Sequence, residues 1–126
     1  MELKGQNEDM LWGTLHGPNG SNGSTTTLDS PQTEWHTYAI DWTPNSVTWY
    51  VDGVQYHKLT KDDYIGSSPA AVWVFDKEFY IILNLAMGGN FVGGPTDPEL
   101  NTAKITFDYV RYYTVDGVGQ VIKHNN

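Results

Sequence analysis

The sequence predicts an all-β fold, an antiparallel sandwich in a single domain, on three observations. Apolar residues recur with a period of two rather than 3.6, the alternating stretches are crowded with aromatic and β-branched residues, and glycine, proline and asparagine punctuate the gaps between them. The stretch Trp35 to Trp42 alternates, Thr43-Pro44-Asn45-Ser46 breaks it, and Val47-Thr48-Trp49-Tyr50-Val51 returns as a hairpin. Asp52-Gly53, a dipeptide suited to a two-residue turn with positive φ, leads into Val54-Gln55-Tyr56-His57, so three strands form a meander. Phe79 to Ala86 is nearly continuous in apolar residues, as expected of a central strand covered on both faces, and Lys104 to Tyr113 alternates again. The glycine-rich run from Asn19 to Ser24 and the stretch from Gly88 to Pro98 are expected as loops, and Leu59 to Gly66 as a turn or two of helix at most.

Composition narrows the function. The 126 residues, 39% apolar and 13% aromatic, suffice for one core that buries roughly two thirds of the unfolded surface. A net charge of −8, with seven basic residues that form no cluster, argues against nucleic acid or an anionic membrane as partner and favours a neutral ligand. There is no cysteine, hence no disulfide or thiolate metal site. No apolar stretch reaches the ~18 residues of a membrane-spanning helix, and this chain encodes no signal peptide.

Three stretches carry a family resemblance: WHTYAIDWTPNSVTWYVDG, then FYIILNLAMGGNFVGG, then ITFDYVRYY. At this spacing they resemble successive strands of glycoside hydrolase family sixteen, the laminarinase and lichenase family of β-glucanases. The resemblance implies a concanavalin-like β-jelly roll of two curved sheets with a glucan cleft across the concave one. It also implies retaining hydrolysis by two glutamates and an aspartate in an E-x-D-x-x-E pattern. Met1-Glu2-Leu3, followed by Gly13-Thr14-Leu15-His16-Gly17-Pro18, is similar to the end of that motif and the strand after it, so Glu2 is expected as the acid/base glutamate. Carboxylates five apart on a strand fall on opposite faces unless a β-bulge intervenes, and Met1 is assigned to the bulge. The nucleophile, the auxiliary aspartate and the first strands would lie before Met1. The chain is thus expected to be the C-terminal portion of a family-sixteen jelly roll, truncated at its N-terminus and inactive or impaired.

Each remaining candidate has a structural alternative. By resemblance His16 is a cleft histidine that hydrogen-bonds a sugar hydroxyl, the alternative being a cap on the Gly17-Pro18 loop. His36 faces either core or cleft. Most of the five tryptophans are expected in the core, with Trp12 a candidate sugar platform of undecided face. Asn84 needs buried partners or a substrate hydroxyl. Asn90 and Phe91 border the sugar sites by resemblance, or belong to a plain glycine turn. No cofactor is required. Asp108 matches the aspartate that gives a carboxylate to a structural calcium, the other ligands being carbonyls of the missing strands, or is a solvated strand carboxylate. Two further readings stand beside a hydrolase: a non-catalytic, lectin-like carbohydrate-binding module, and an incomplete domain stabilised by self-association as a strand-exchanged homodimer. Either way the expected partner is β-1,3- or β-1,3/1,4-glucan, and the resemblance implies an extracellular or periplasmic location.

Overall fold

In the computed structural model, which describes residues 1–18, 20–29 and 33–120, two three-stranded antiparallel sheets face each other. The first is built from β1 (Glu2–Lys4), β2 (Asn7–Gly17) and β3 (Gly20–Thr27), in the order β1-β2-β3. The second holds β4 (Tyr38–Thr43), β5 (Ser46–Val51) and β6 (Val54–Thr60), in the order β4-β5-β6. The expected meander is this second sheet. Its β5–β6 turn places Asp52 at φ 50° and Gly53 at φ 76°, the two positive values that a tight, primed hairpin turn requires.

The period of two decides the layers. Along β2, Leu11, Gly13 and Leu15 are buried while Trp12, Thr14 and His16 are turned to the other face and are partly or fully exposed. The buried set meets Val47, Trp49 and Val51 of β5 and Leu59 of β6. Gly13 is what lets the sheets close. A Cβ there would lie 2.6 Å from Tyr56 Oη and 2.9 Å from Trp49 Cδ1. One end of the core is filled by an aromatic triad, Tyr64, Trp73 and Phe75, packed edge to face. Tyr64 belongs to α1 (Lys61–Gly66), a short helix opened by a capping box in which Thr60 and Asp63 satisfy each other's backbone.

Several expectations are corrected. Residues 20–24, expected as loop, form most of β3, because the long central strand β2 pairs with β3 from Gly17↔Gly20 to Met10↔Thr27; Asn19 lies outside the described residues. Only Trp49 and Trp73 of the five tryptophans are buried, while Trp35 is 71% exposed and Trp42 40% exposed. The register shift in the first sheet falls between Leu3 and Lys4 rather than at Met1, which precedes β1. The stretches from Phe79 to Ala86 and from Lys104 to Tyr113 form no ladder and are exposed along their length. A strand exists only through its neighbours, and among the described residues no segment pairs with these two. β1 pairs with β2 in antiparallel register, Glu2 opposite Trp12 and Leu3 opposite Leu11.

Candidate active site

On the outer face of the first sheet, antiparallel pairing sets Glu2 directly opposite Trp12. His16, one full turn of the pleat beyond Thr14, shares that face, and its Nε2 lies 3.9 Å from Glu2 Oε2. Both side chains are open to solvent, the imidazole 67% and the carboxylate 42%, so their attraction is weak and both remain free to meet a ligand. The Trp12 question left open by the sequence is settled: the indole stands on the Glu2 face, not in the core. His16 thereby stands on the same face as Glu2, with its imidazole open to solvent.

The far loop reaches the same face. Asn90–Val92 forms a single 3-10 turn, closed by Gly93 N–H donating to Asn90 O at 3.1 Å with Gly93 in the left-handed region at φ 80°. Phe91 packs edge-on against Trp12, with ring centroids 5.8 Å apart and planes at 80°. Gln6 Nε2 donates to Val92 O, fastening the β1–β2 turn to this loop. Beside the aromatic pair opens a shallow pocket of about 240 Å³ lined by Lys4, Gln6, Asn7, Asn90 and Phe91 among others. Glu2, Trp12, His16, Asn90 and Phe91 are therefore brought onto one surface, as a cleft edge would require.

Asn84 and Asp108 are not part of it. Asn84 is exposed in the unpaired stretch from Phe79 to Ala86, so it needs no buried partner, and no hydrogen bond or ring contact joins it to the Glu2 face among the described residues. Asp108 is exposed, and among the described residues no three acidic, histidine or cysteine side chains gather around it or elsewhere. The His36 side chain is only 10% exposed. Its Nδ1 lies 2.7 Å from Asp52 Oδ2 while Thr37 N–H donates to Asp52 Oδ1 at 2.8 Å, a clasp from the lead-in of β4 to the β5–β6 turn. The His36 bond, then that of Thr37, holds the Asp52 carboxyl below its ordinary range.

Sequence reasoning missed Lys4 and Gln6. The signal for Lys4 was present: it stands two residues from Glu2, so the pleat puts both on one side. Gln6 gave none, because its bond to Val92 joins residues 86 apart in the sequence.

With this geometry in view, comparison with known proteins places the chain. The profile of glycosyl hydrolases family 16 matches residues 1–111. A β-glucanase of Rhodothermus marinus is 34% identical over 123 residues, covering 90% of this chain and 42% of that protein. A glucan endo-1,3-β-glucosidase of Cryptopygus antarcticus is 39% identical over 127 residues, covering 90% and 47%. Among solved structures, an endo-β-1,3-glucanase from Pyrococcus furiosus superposes with a TM-score of 0.65 at 38% identity, covering 75% of this chain and 38% of that one. The chain thus spans less than half the length of each of these relatives. A sandwich of two antiparallel sheets, a carboxylate and a histidine on one open face, and a profile match through 111 of 126 residues lead to one assignment: the chain belongs to glycosyl hydrolase family 16.

Proposed function

We propose that the outer face of the first sheet binds β-glucan, with Glu2 as the acid/base group of a retaining glycoside hydrolase centre. The observation that carries this reading is the convergence of Glu2, His16 and Trp12, with the two polar side chains 3.9 Å apart and the indole opposite Glu2. In such a centre the glutamic acid gives its proton to the glycosidic oxygen as the C1–O bond breaks, while a second carboxylate ~5–5.5 Å away forms the bond to C1. Glu2 fits the first role, His16 steadies a hydroxyl near the bond, and Trp12 offers an apolar ring to a sugar's C–H face.

On this reading the chain acts as a glucan-binding surface with a proton donor, and turnover is the property to measure. Purified protein is expected to release reducing sugar from laminarin at least ~10³-fold more slowly than the Pyrococcus relative, while still binding the polymer. Turnover at the relative's rate contradicts the reading of Glu2 as an isolated acid. Failure to retain laminarin in a pull-down contradicts the binding face itself. Retention that Glu2→Gln and His16→Ala leave unchanged would place the sugar elsewhere and favour the lectin-like alternative. A polymeric glucan does not cross a membrane, which supports an extracellular or periplasmic site of action; no helix among the described residues is long and apolar enough to span one.

Self-association is a second proposal, favoured by a separate observation. The unpaired stretches expose Tyr80 at 85%, Ile82 at 76% and Tyr113 at 67%, with further aromatic and aliphatic side chains beside them. Soluble monomers rarely leave so many large apolar side chains open, and a second copy is the simplest cover.

A further inference from the structure

Lys4 carries an ammonium with no carboxylate and no hydrogen-bond acceptor in reach among the described residues. Its neighbours are rings: Nζ lies 4.1 Å from the centroid of Phe91 and 5.0 Å from that of Trp12. The cation–π attraction fixes the charge over the corner that these rings make, at the lip of the pocket lined also by Gln6, Asn7 and Asn90. The geometry has two consequences. One face of Phe91 is taken by the ammonium, so that face is not free for a sugar to stack upon. The ammonium keeps three N–H donors, which ring faces satisfy only in part, and they sit beside three side-chain amides that both donate and accept. Charged donor and amides together suit a ligand rich in hydroxyls. The acidic chain, at −8, disfavours an anionic one.

We propose that Lys4 is a sugar-binding residue, its ammonium held between Phe91 and Trp12 and donating to hydroxyl oxygens of one glucosyl unit seated in this pocket. The proposal rests on the reading of this face as a β-glucan cleft and adds a subsite to it: a neutral glucosyl unit lies across the β1–β2 turn and the 90–93 loop, adjacent to the unit above Glu2. Because Gln6 already bonds Val92 O, the loop is in place before sugar arrives, and Lys4 supplies affinity rather than closure.

Isothermal titration of laminarihexaose into the 126-residue chain and its Lys4→Met and Lys4→Arg variants tests this. Methionine keeps the apolar stem and removes the charge; arginine keeps the charge. Lys4→Met is expected to bind at least ~10-fold more weakly, the loss of a hydrogen bond from a charged donor, and Lys4→Arg to stay within about threefold of wild type, with all three melting within a few degrees of one another. Lys4→Met affinity within twofold of wild type overturns the proposal, even if the Trp12 fluorescence shifts, since Lys4 would then only pin the rings. An arginine variant as weak as the methionine one overturns it too. Tighter binding of a carboxymethylated glucan than of laminarihexaose overturns the neutral ligand. Absence of wild-type binding would instead remove the glucan cleft on which the proposal stands.

Discussion

Gly13 and Tyr56 show how closely single residues set the spacing of the sheets. A Cβ at position 13 would press on Tyr56 Oη at 2.6 Å and on Trp49 Cδ1 at 2.9 Å, so Gly13→Ala is expected to cost about 1–3 kcal/mol in urea unfolding. The Tyr56 hydroxyl is buried with no partner among the described residues, and burial pushes its pKa up to about 12. Tyr56→Phe should therefore be neutral or stabilising by up to about 1 kcal/mol, and should recover part of the Gly13→Ala loss by removing the nearer of the two obstacles. Equal losses in the single and double variants would show that the sheets are not in contact there. Two titrations mark the pH profile. His57, stacked on Trp49 at 4.9 Å with its Nε2 buried, has a pKa lowered from 6.5 by burial. A depressed histidine favours the neutral fold, so its contribution is complete above pH ~6.5 and is lost as pH falls below it. Asp52, depressed by His36 and Thr37, contributes above its ordinary value of 3.8 and fades as pH falls through its lower folded value. Stability against pH should thus decline in two separate windows. Asp52→Asn should flatten only the one below pH ~4, and a variant that still loses stability there as wild type does would contradict the clasp. None of this was legible in the sequence, where His36 and His57 are two histidines in alternating strands and nothing marks which meets a carboxylate and which an indole.

At the scale of elements, the short-range signals were the readable ones. Asp52-Gly53 announced its turn and the Thr43 to Ser46 break its hairpin, because both depend on local backbone preference. β3 was hidden for the opposite reason. A run of glycine, serine and asparagine has little strand propensity, and β2, whose inner face is anchored in the core, recruits it. The apolar stretch at 79–86 is the converse case: composition suited a central strand, yet pairing depends on neighbours that hydropathy does not report. α1 is small but holds an end of the core. Tyr64 is 2% exposed, packs edge-on against Trp73 and Phe75, and donates its hydroxyl to Gly20 O at 3.1 Å, tying the helix to the first sheet. Tyr64→Ala should cost about 3–5 kcal/mol, much of the stability of a domain this size, and is expected to leave the chain partly unfolded by circular dichroism at 37 °C. An unchanged melting curve would show that the aromatic triad closes without it.

The whole molecule combines a packed half, where β2 meets β5 and β6, with an open half, where the apolar side chains of the stretches from Phe79 to Ala86 and from Lys104 to Tyr113 are exposed. Burial of a few hundred Å² of that surface at ~25 cal/mol/Å² gains several kcal/mol, so light scattering at micromolar concentration should give about twice the 14.1 kDa mass of the chain; a monodisperse monomer with a sharp melt would contradict self-association. The candidate site was partly legible at this scale. Glu2 and His16 could be named because a family motif carries them, and Trp12 because it lies near Glu2 in sequence, whereas Lys4 and Gln6 act through a loop more than eighty residues away. Whether the Glu2 face takes β-glucan is decided most directly by calorimetric titration of laminarihexaose into wild type and Trp12→Ala. Saturable binding to wild type, weakened about five- to tenfold when the indole is removed, is the predicted result. No saturable heat with wild type, or the same affinity without Trp12, would contradict it.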